Sequence, residues 1–137
     1  MRRQSIKITT LIENTKDKKA ENVKAEHGIS LFLEFDSHKI LFDTGLSSLF
    51  NENAKHLNLS LEDIEYAVVS HGHLDHGGGL KTFLEENSEA PIYVKEEAFN
   101  GYYRKIVGLI KKYIGLDKAL ISKFKQKVRF CKRFYRN

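Results

Sequence analysis

The apolar positions of this 137-residue chain change period several times, and each change marks an element. Residues 5–12, SIKITTLI, alternate polar and apolar as a half-buried strand does. Residues 13–28 lose all periodicity and turn polar and charged, which predicts a surface loop long enough to suggest function. Two apolar runs at 29–35 and 39–45, separated by DSH, predict a hairpin. Leu46, Leu49, Phe50, Ala54 and Leu57 then fall at helical spacing within 46–59. SLED at 60–63 has the form of a capping box and predicts a short helical turn. A β-branched apolar run at 64–70 predicts a strand, and Leu80, Phe83 and Leu84 predict a helix over 78–88. Another short strand is expected at 90–99, with the one proline, Pro91, near its start. Residues 102–124 read as a helix broken near Gly115, followed by KFKQKVRF, which alternates basic and apolar residues. The order β–loop–ββ–α–β–α–β–α predicts an α/β domain with helices packed on a sheet.

Composition narrows the class. Hydrophobic residues make up 41% and charged residues 30%, as in a soluble globular chain long enough for a core. No apolar run approaches the ~20 residues of a membrane span, and the amino terminus lacks the apolar stretch of a secretory signal. One cysteine, Cys131, excludes an intramolecular disulfide, so a reducing cytoplasm is the expected location. The net charge of +5 is unevenly placed: eight basic residues and no acidic one follow Asp117, and removing them leaves −3 for residues 1–117. Nucleic-acid binding would therefore rest on the terminal segment, including Phe124, Phe130, Phe134 and Tyr135, and a solvated terminus is the favoured reading.

The chemistry concentrates in VVSHGHLDHGGGL, residues 68–80, where His71, His73, Asp75 and His76 lie within six positions. A loop at the carboxyl end of a strand is a common site in α/β folds. In extended backbone His71 and His73 point the same way and can share one cation, while a turn can aim Asp75 and His76 at a second. Imidazole and carboxylate suit zinc, and also iron or manganese. Gly72 and Gly77–Gly79 allow backbone and ion to crowd together.

VVSHGHLDHGGGL resembles the signature of the metallo-β-lactamase superfamily, and ILFDTG resembles its earlier strand ending in aspartate. LIENT, AEHGISLFLEF and ILFDTGLSSLFNENAKHLNL are similar to the branch that includes dihydropterin–ribofuranosylaminobenzene-phosphate synthase. The resemblance runs from about Ile6 to about Leu120 and covers the family's amino-terminal half. It implies half of an αββα sandwich, one mixed sheet with flanking helices, as a partial domain over 1–120, followed by a basic tail at 121–137. By position, His71 and His73 would hold the first of up to two divalent ions and Asp75 and His76 the second. Asp75 is also the catalytic candidate. Asp43 would support the loop without ligating, and His27 would lie towards a small-molecule substrate.

The same resemblance implies ligands that this chain lacks, since no histidine follows His76 and Asp117 is the one later aspartate. Each ion would have two protein ligands where catalytic zinc has at least three. The expectation is thus a metal-dependent hydrolase fold with weak or no activity in the lone chain. The alternative is an interaction module. The inner-facing side chains among Ile29, Leu31, Leu33, Ile40, Phe42, Val68 and Val69 lack a covering sheet, so a second copy or a separate second half would pair with them.

Overall fold

A computed structural model describes residues 5–132. Its main sheet has six strands in the order β1-β2-β3-β4-β5-β8: β1 Ile6–Ile12, β2 Ser30–Phe35, β3 His38–Phe42, β4 Tyr66–Val68, β5 Ile92–Val94 and β8 Val128–Phe130. The first three run antiparallel; β3, β4, β5 and β8 are parallel. Two residues, Asp36 and Ser37, join β2 to β3, and Asp36 takes a left-handed φ of 50°. The parallel connections carry helices α1 Leu49–His56 and α3 Leu80–Glu86, with the single turn α2 Leu74–Gly77 before α3. Leu61–Asp63 is a 3-10 turn whose Ser60 hydroxyl accepts from the Glu62 N–H, while Asp63 pairs with Lys39 instead of closing a capping box.

Strand register explains why one face of the sheet is buried. Phe32, Leu41, Ala67, Ile92 and Val128 stand opposite one another in succession across β2 to β8. Phe32, Leu41, Ala67 and Ile92 are buried in one cluster with Phe50 and Ala54 of α1 and Leu80, Phe83 and Leu84 of α3. Each large side chain fully buried there contributes about 1.5–3 kcal/mol. The intervening positions face the other way: Ile8, Leu33, Ile40 and Tyr66 form one row, and Leu31, Phe42, Val68 and Tyr93 the next. Along this face Ile8 is 60% and Tyr93 39% exposed, and the four aliphatic residues nearest the centre are half-buried. Among the described residues, no helix covers it. Of the adjacent pair Val68 and Val69, Val68 faces this side and Val69 is buried in the core.

The predicted helix over 102–124 does not form. Residues 103–113 make a hairpin, β6 Tyr103–Val107 and β7 Ile110–Tyr113, and helix is confined to α4 Ala119–Lys123. Ile106, Val107 and Ile110 are β-branched and flank Gly108, whose φ of 55° supplies the turn. Part of the basic terminal segment also returns to the sheet, as β8 beside β5. There the Lys127 ammonium caps carbonyls at the end of α3, those of Leu84 and Asn87, and desolvation lowers its pKa. Phe134 and Tyr135 lie outside the described residues.

Buried asparagines fasten the layers. Asn53 of α1 is fully buried; its amide donates to the Leu11 carbonyl at 2.7 Å and the Lys24 carbonyl at 2.8 Å and accepts from the Lys24 N–H. Asn53→Ala strands these three backbone groups without partners. Urea unfolding should show a loss of roughly 2–4 kcal/mol. A loss under about 0.5 kcal/mol, as at an ordinary surface position, would show that the fastening is dispensable.

Candidate metal centre

Asp43 and Ser70 follow the carboxyl ends of the adjacent parallel strands β3 and β4. The Asp43 N–H donates to the Val68 carbonyl at 2.9 Å, extending the ladder past the last strand residue. Its φ of 57° then turns the chain sharply. Asp43 is 1% exposed. Its Oδ1 accepts from the Ser70 N–H at 2.7 Å, and its Oδ2 accepts from the Ser70 hydroxyl at 2.6 Å and from His76 Nδ1 at 2.7 Å. A buried carboxylate requires this degree of satisfaction.

Those bonds set two imidazoles. An ionised carboxylate only accepts, so His76 carries its proton on Nδ1 and leaves Nε2 free. The Ser70 proton is committed to Asp43, so His71 Nδ1, 2.9 Å from the Ser70 oxygen, donates to it. His71 Nε2 is free as well. The ligand atoms of His71, Asp75 and His76 all lie within 4.8 Å of one another. Two imidazoles and a carboxylate form a donor set that suits a divalent cation such as zinc. Desolvation lowers the His71 pKa below its ordinary value, and the neighbouring His76 and His73 lower it further, against the opposing pull of Asp43 and Asp75. A neutral ring is the form that binds metal.

The loop reaches this shape through α2. The N–H groups of His76 and Gly77 both donate to the His73 carbonyl, so Asp75 and His76 leave a helical turn rather than an extended strand. Thr44 holds the turn from below: its N–H donates to the His76 carbonyl at 2.7 Å, and its hydroxyl accepts from the Gly79 N–H at 3.0 Å. Gly78 is required by proximity, because a Cβ there would stand 2.1 Å from the Leu46 carbonyl oxygen.

The four sequence candidates stand close together in this loop. His71 joins Asp75 and His76, and His73 stands outside this triplet. The His73 ring lies edge-on to His71 at 4.7 Å and to Tyr102 at 5.2 Å. His27 reaches the site from the long loop, with Nε2 3.2 Å from Asp75 Oδ2, which is 3.5 Å from His76 Nε2. Asn14 steadies that loop by accepting from the Gly28 N–H at 2.9 Å. The hydrogen-bonding parts of Ser70, taken from the sequence only as the residue at a strand end, and of Thr44, and the place of Tyr102 beside His73, were not read from the sequence. The first two sit in SHGH and DTG, where a hydroxyl beside each acidic or histidine position was the available signal.

Residues 25–118 match the model of the metallo-β-lactamase superfamily, and the chain belongs to that superfamily. It is 35% identical over 115 residues to an uncharacterised protein of Methanocaldococcus jannaschii, covering 82% of this chain and 41% of that protein. It is 36% identical over 103 residues to 7,8-dihydropterin-6-methyl-4-(β-D-ribofuranosyl)-aminobenzene-5′-phosphate synthase of the same organism, covering 69% of this chain and 34% of the synthase. Among solved structures, a metal-dependent hydrolase of the β-lactamase superfamily superposes with a TM-score of 0.69 at 27% identity, over 94% of this chain and 43% of that one. The chain thus spans about two-fifths or less of the length of the curated relatives it matches. The α/β fold with one mixed sheet and flanking helices agrees with the expected class.

The grouping has a measurable consequence. His71→Ala should abolish retention of a stoichiometric divalent ion, whereas His73→Ala should weaken it by less; equal losses would restore the expected pairing. Asp43→Asn should weaken metal affinity about 10–100-fold with every ligand still present. In metal-free protein, NMR titration should place the His71 midpoint below 6.5. Because the native state then binds fewer protons than the unfolded chain, this group's stabilisation is present above pH 6.5 and is lost as pH falls through the native midpoint. A midpoint at or above 6.5 would contradict the desolvated, cation-flanked setting.

Proposed function

We propose that this chain is the metal-holding layer of a cytoplasmic metal-dependent hydrolase acting on a small molecule, and that zinc is its preferred ion. The grouping of His71, Asp75 and His76, whose ligand atoms lie within 4.8 Å of one another, with both imidazoles held directly or through Ser70 by Asp43, carries this reading. These three residues would hold the ion, and His73, whose ring lies beside His71, is the proposed further ligand. A bound divalent cation supplies Lewis acidity at the scissile bond and lowers the pKa of water. Asp43 and Ser70 orient the rings and keep their protons on Nδ1. Asp75 is the proposed catalytic residue: its Oδ2 can take the proton that attacking water loses, and the His27 Nε2–H, 3.2 Å away, donates to that carboxylate and orients it. The exposed, free Cys131 suits a reducing compartment. The synthase relative makes an ester or related centre in a phosphate-bearing heterocycle a reasonable substrate class, by analogy alone.

A second reading concerns the uncovered sheet face. Ile6 and Ile8 are 66% and 60% exposed at its edge, and the half-buried Leu33 and Ile40 continue the apolar row. Further polypeptide is proposed to cover it, a second copy of the chain in the absence of any other partner. The lone layer would then be weakly active until covered.

Protein purified without a histidine tag should retain zinc, iron or manganese by mass spectrometric metal analysis, and Asp75→Ala should lose it. Background metal in the wild type would remove the hydrolase reading. Sedimentation at micromolar concentration should show association that Ile8→Lys reduces. A well-behaved wild-type monomer would refute self-association through this face.

A further inference from the structure

The β6–β7 hairpin stands away from the body of the domain, and every residue from Tyr103 to Tyr113 is exposed. Between Ala98 and Leu116 the chain carries no acidic residue. The register sets Arg104 opposite Lys112 and Lys105 opposite Lys111. Like charges directly opposed across an antiparallel pair repel and destabilise it. Among the described residues, none of these four cations makes an ion pair.

Beyond the cations, the tip presents Ile106, Val107, Leu109 and Ile110, with Leu109 98% exposed. Below them the rings of Tyr103 and Tyr113 pack edge to face at 5.3 Å. Along the hairpin the order is an apolar tip, a girdle of cations and an aromatic pair. The apolar tip followed by a girdle of cations matches the order of acyl chains and headgroups in an anionic bilayer, with the tyrosine pair bracing the hairpin behind them.

We propose that this hairpin docks the protein on an anionic lipid surface, inserting residues 106–110 and setting Arg104, Lys105, Lys111 and Lys112 against the headgroups. The anionic surface relieves the repulsion that the register builds in. Nucleic acid would engage the cations and leave the apolar tip in water. A protein pocket would take the tip without calling for four like charges around it. Attachment is peripheral, consistent with the absence of a helix long and apolar enough to cross a membrane among the described residues. It also reaches the metal loop, because the hairpin's base is bonded there: the Leu74 N–H donates to the Ile114 carbonyl at 2.8 Å, and His73 bridges to Gly115. Five residues separate Ile114 from Leu109, so docking would hold that loop roughly 17 Å from the inserted tip.

The chain contains no tryptophan, so Leu109→Trp installs a single indole reporter at an exposed position. With vesicles of phosphatidylcholine containing about one-third phosphatidylglycerol, its emission should shift to the blue and the protein should co-sediment. Pure phosphatidylcholine vesicles should bind at least about tenfold more weakly. Adding Lys105→Gln and Lys111→Gln should cost about fivefold per cation removed, roughly 25-fold together. Three results would overturn the proposal. Co-sedimentation without a blue shift would mean adsorption through the basic terminal segment. A blue shift that grows with protein concentration in the absence of lipid would mean that a second copy covers the tip. No vesicle binding at all would mean that the hairpin is no lipid anchor.

Discussion

One buried carboxylate organises this molecule. Asp43 is removed from water at the end of β3, where an ionised group is costly unless every bond it can accept is made. Its partners are the backbone and hydroxyl of Ser70 and the ring of His76, so the electrostatic requirement of one side chain fixes the strand end, the start of the loop and the helical turn that follows. The chemistry inherits its order from that constraint. With Nδ1 of both rings engaged, what remains to converge with Asp75 is a pair of free imidazole nitrogens. Thr44, the next residue, secures the far end of the loop through the His76 carbonyl and the Gly79 N–H. Two consecutive residues thus couple sheet register to the metal centre.

The sheet was legible because its signals are local. The period-two run at 5–12 and the apolar runs at 29–35 and 39–45, broken by DSH, fix three strands and the hairpin between β2 and β3. The histidine cluster was legible as the candidate site from ligand type and position after a strand. How the four residues group was not, because a single helical turn from Leu74 to Gly77 rotates Asp75 and His76 back towards His71, and four residues are too few to show helical periodicity. The segment 102–124 misled for a related reason. Its apolar residues fit a helical face, yet β-branched residues around Gly108 favour a turn between strands, and Tyr102 and Ile114 bond across the base to close it. The partnering of KVRF with β5 is a long-range pairing that no local pattern could announce.

The domain is also asymmetric in a way that relates structure to use. One face of the sheet is sealed by α1 and α3, and the other presents rows of Leu, Ile and aromatic side chains. The metal loop lies at the strand ends between these faces, so whatever covers the open face also borders the site. Relatives more than twice as long have the material for such a cover. The exposed hairpin belongs to neither layer. It grows from the loop segment that bonds to Leu74 and His73, and this ties its position to that of the donors.

The central claim is that Asp43, directly and through Ser70, fixes the tautomers of two imidazoles. Long-range ¹H–¹⁵N correlation spectra of the metal-free protein, recorded where the rings are neutral, read this without relying on catalysis or metal affinity. The account predicts that His71 and His76 both carry the proton on Nδ1, and that Asp43→Asn releases them to mixtures. If either ring instead carries its proton on Nε2 in the wild-type protein, that nitrogen is not free for a cation, and the account of the site is wrong.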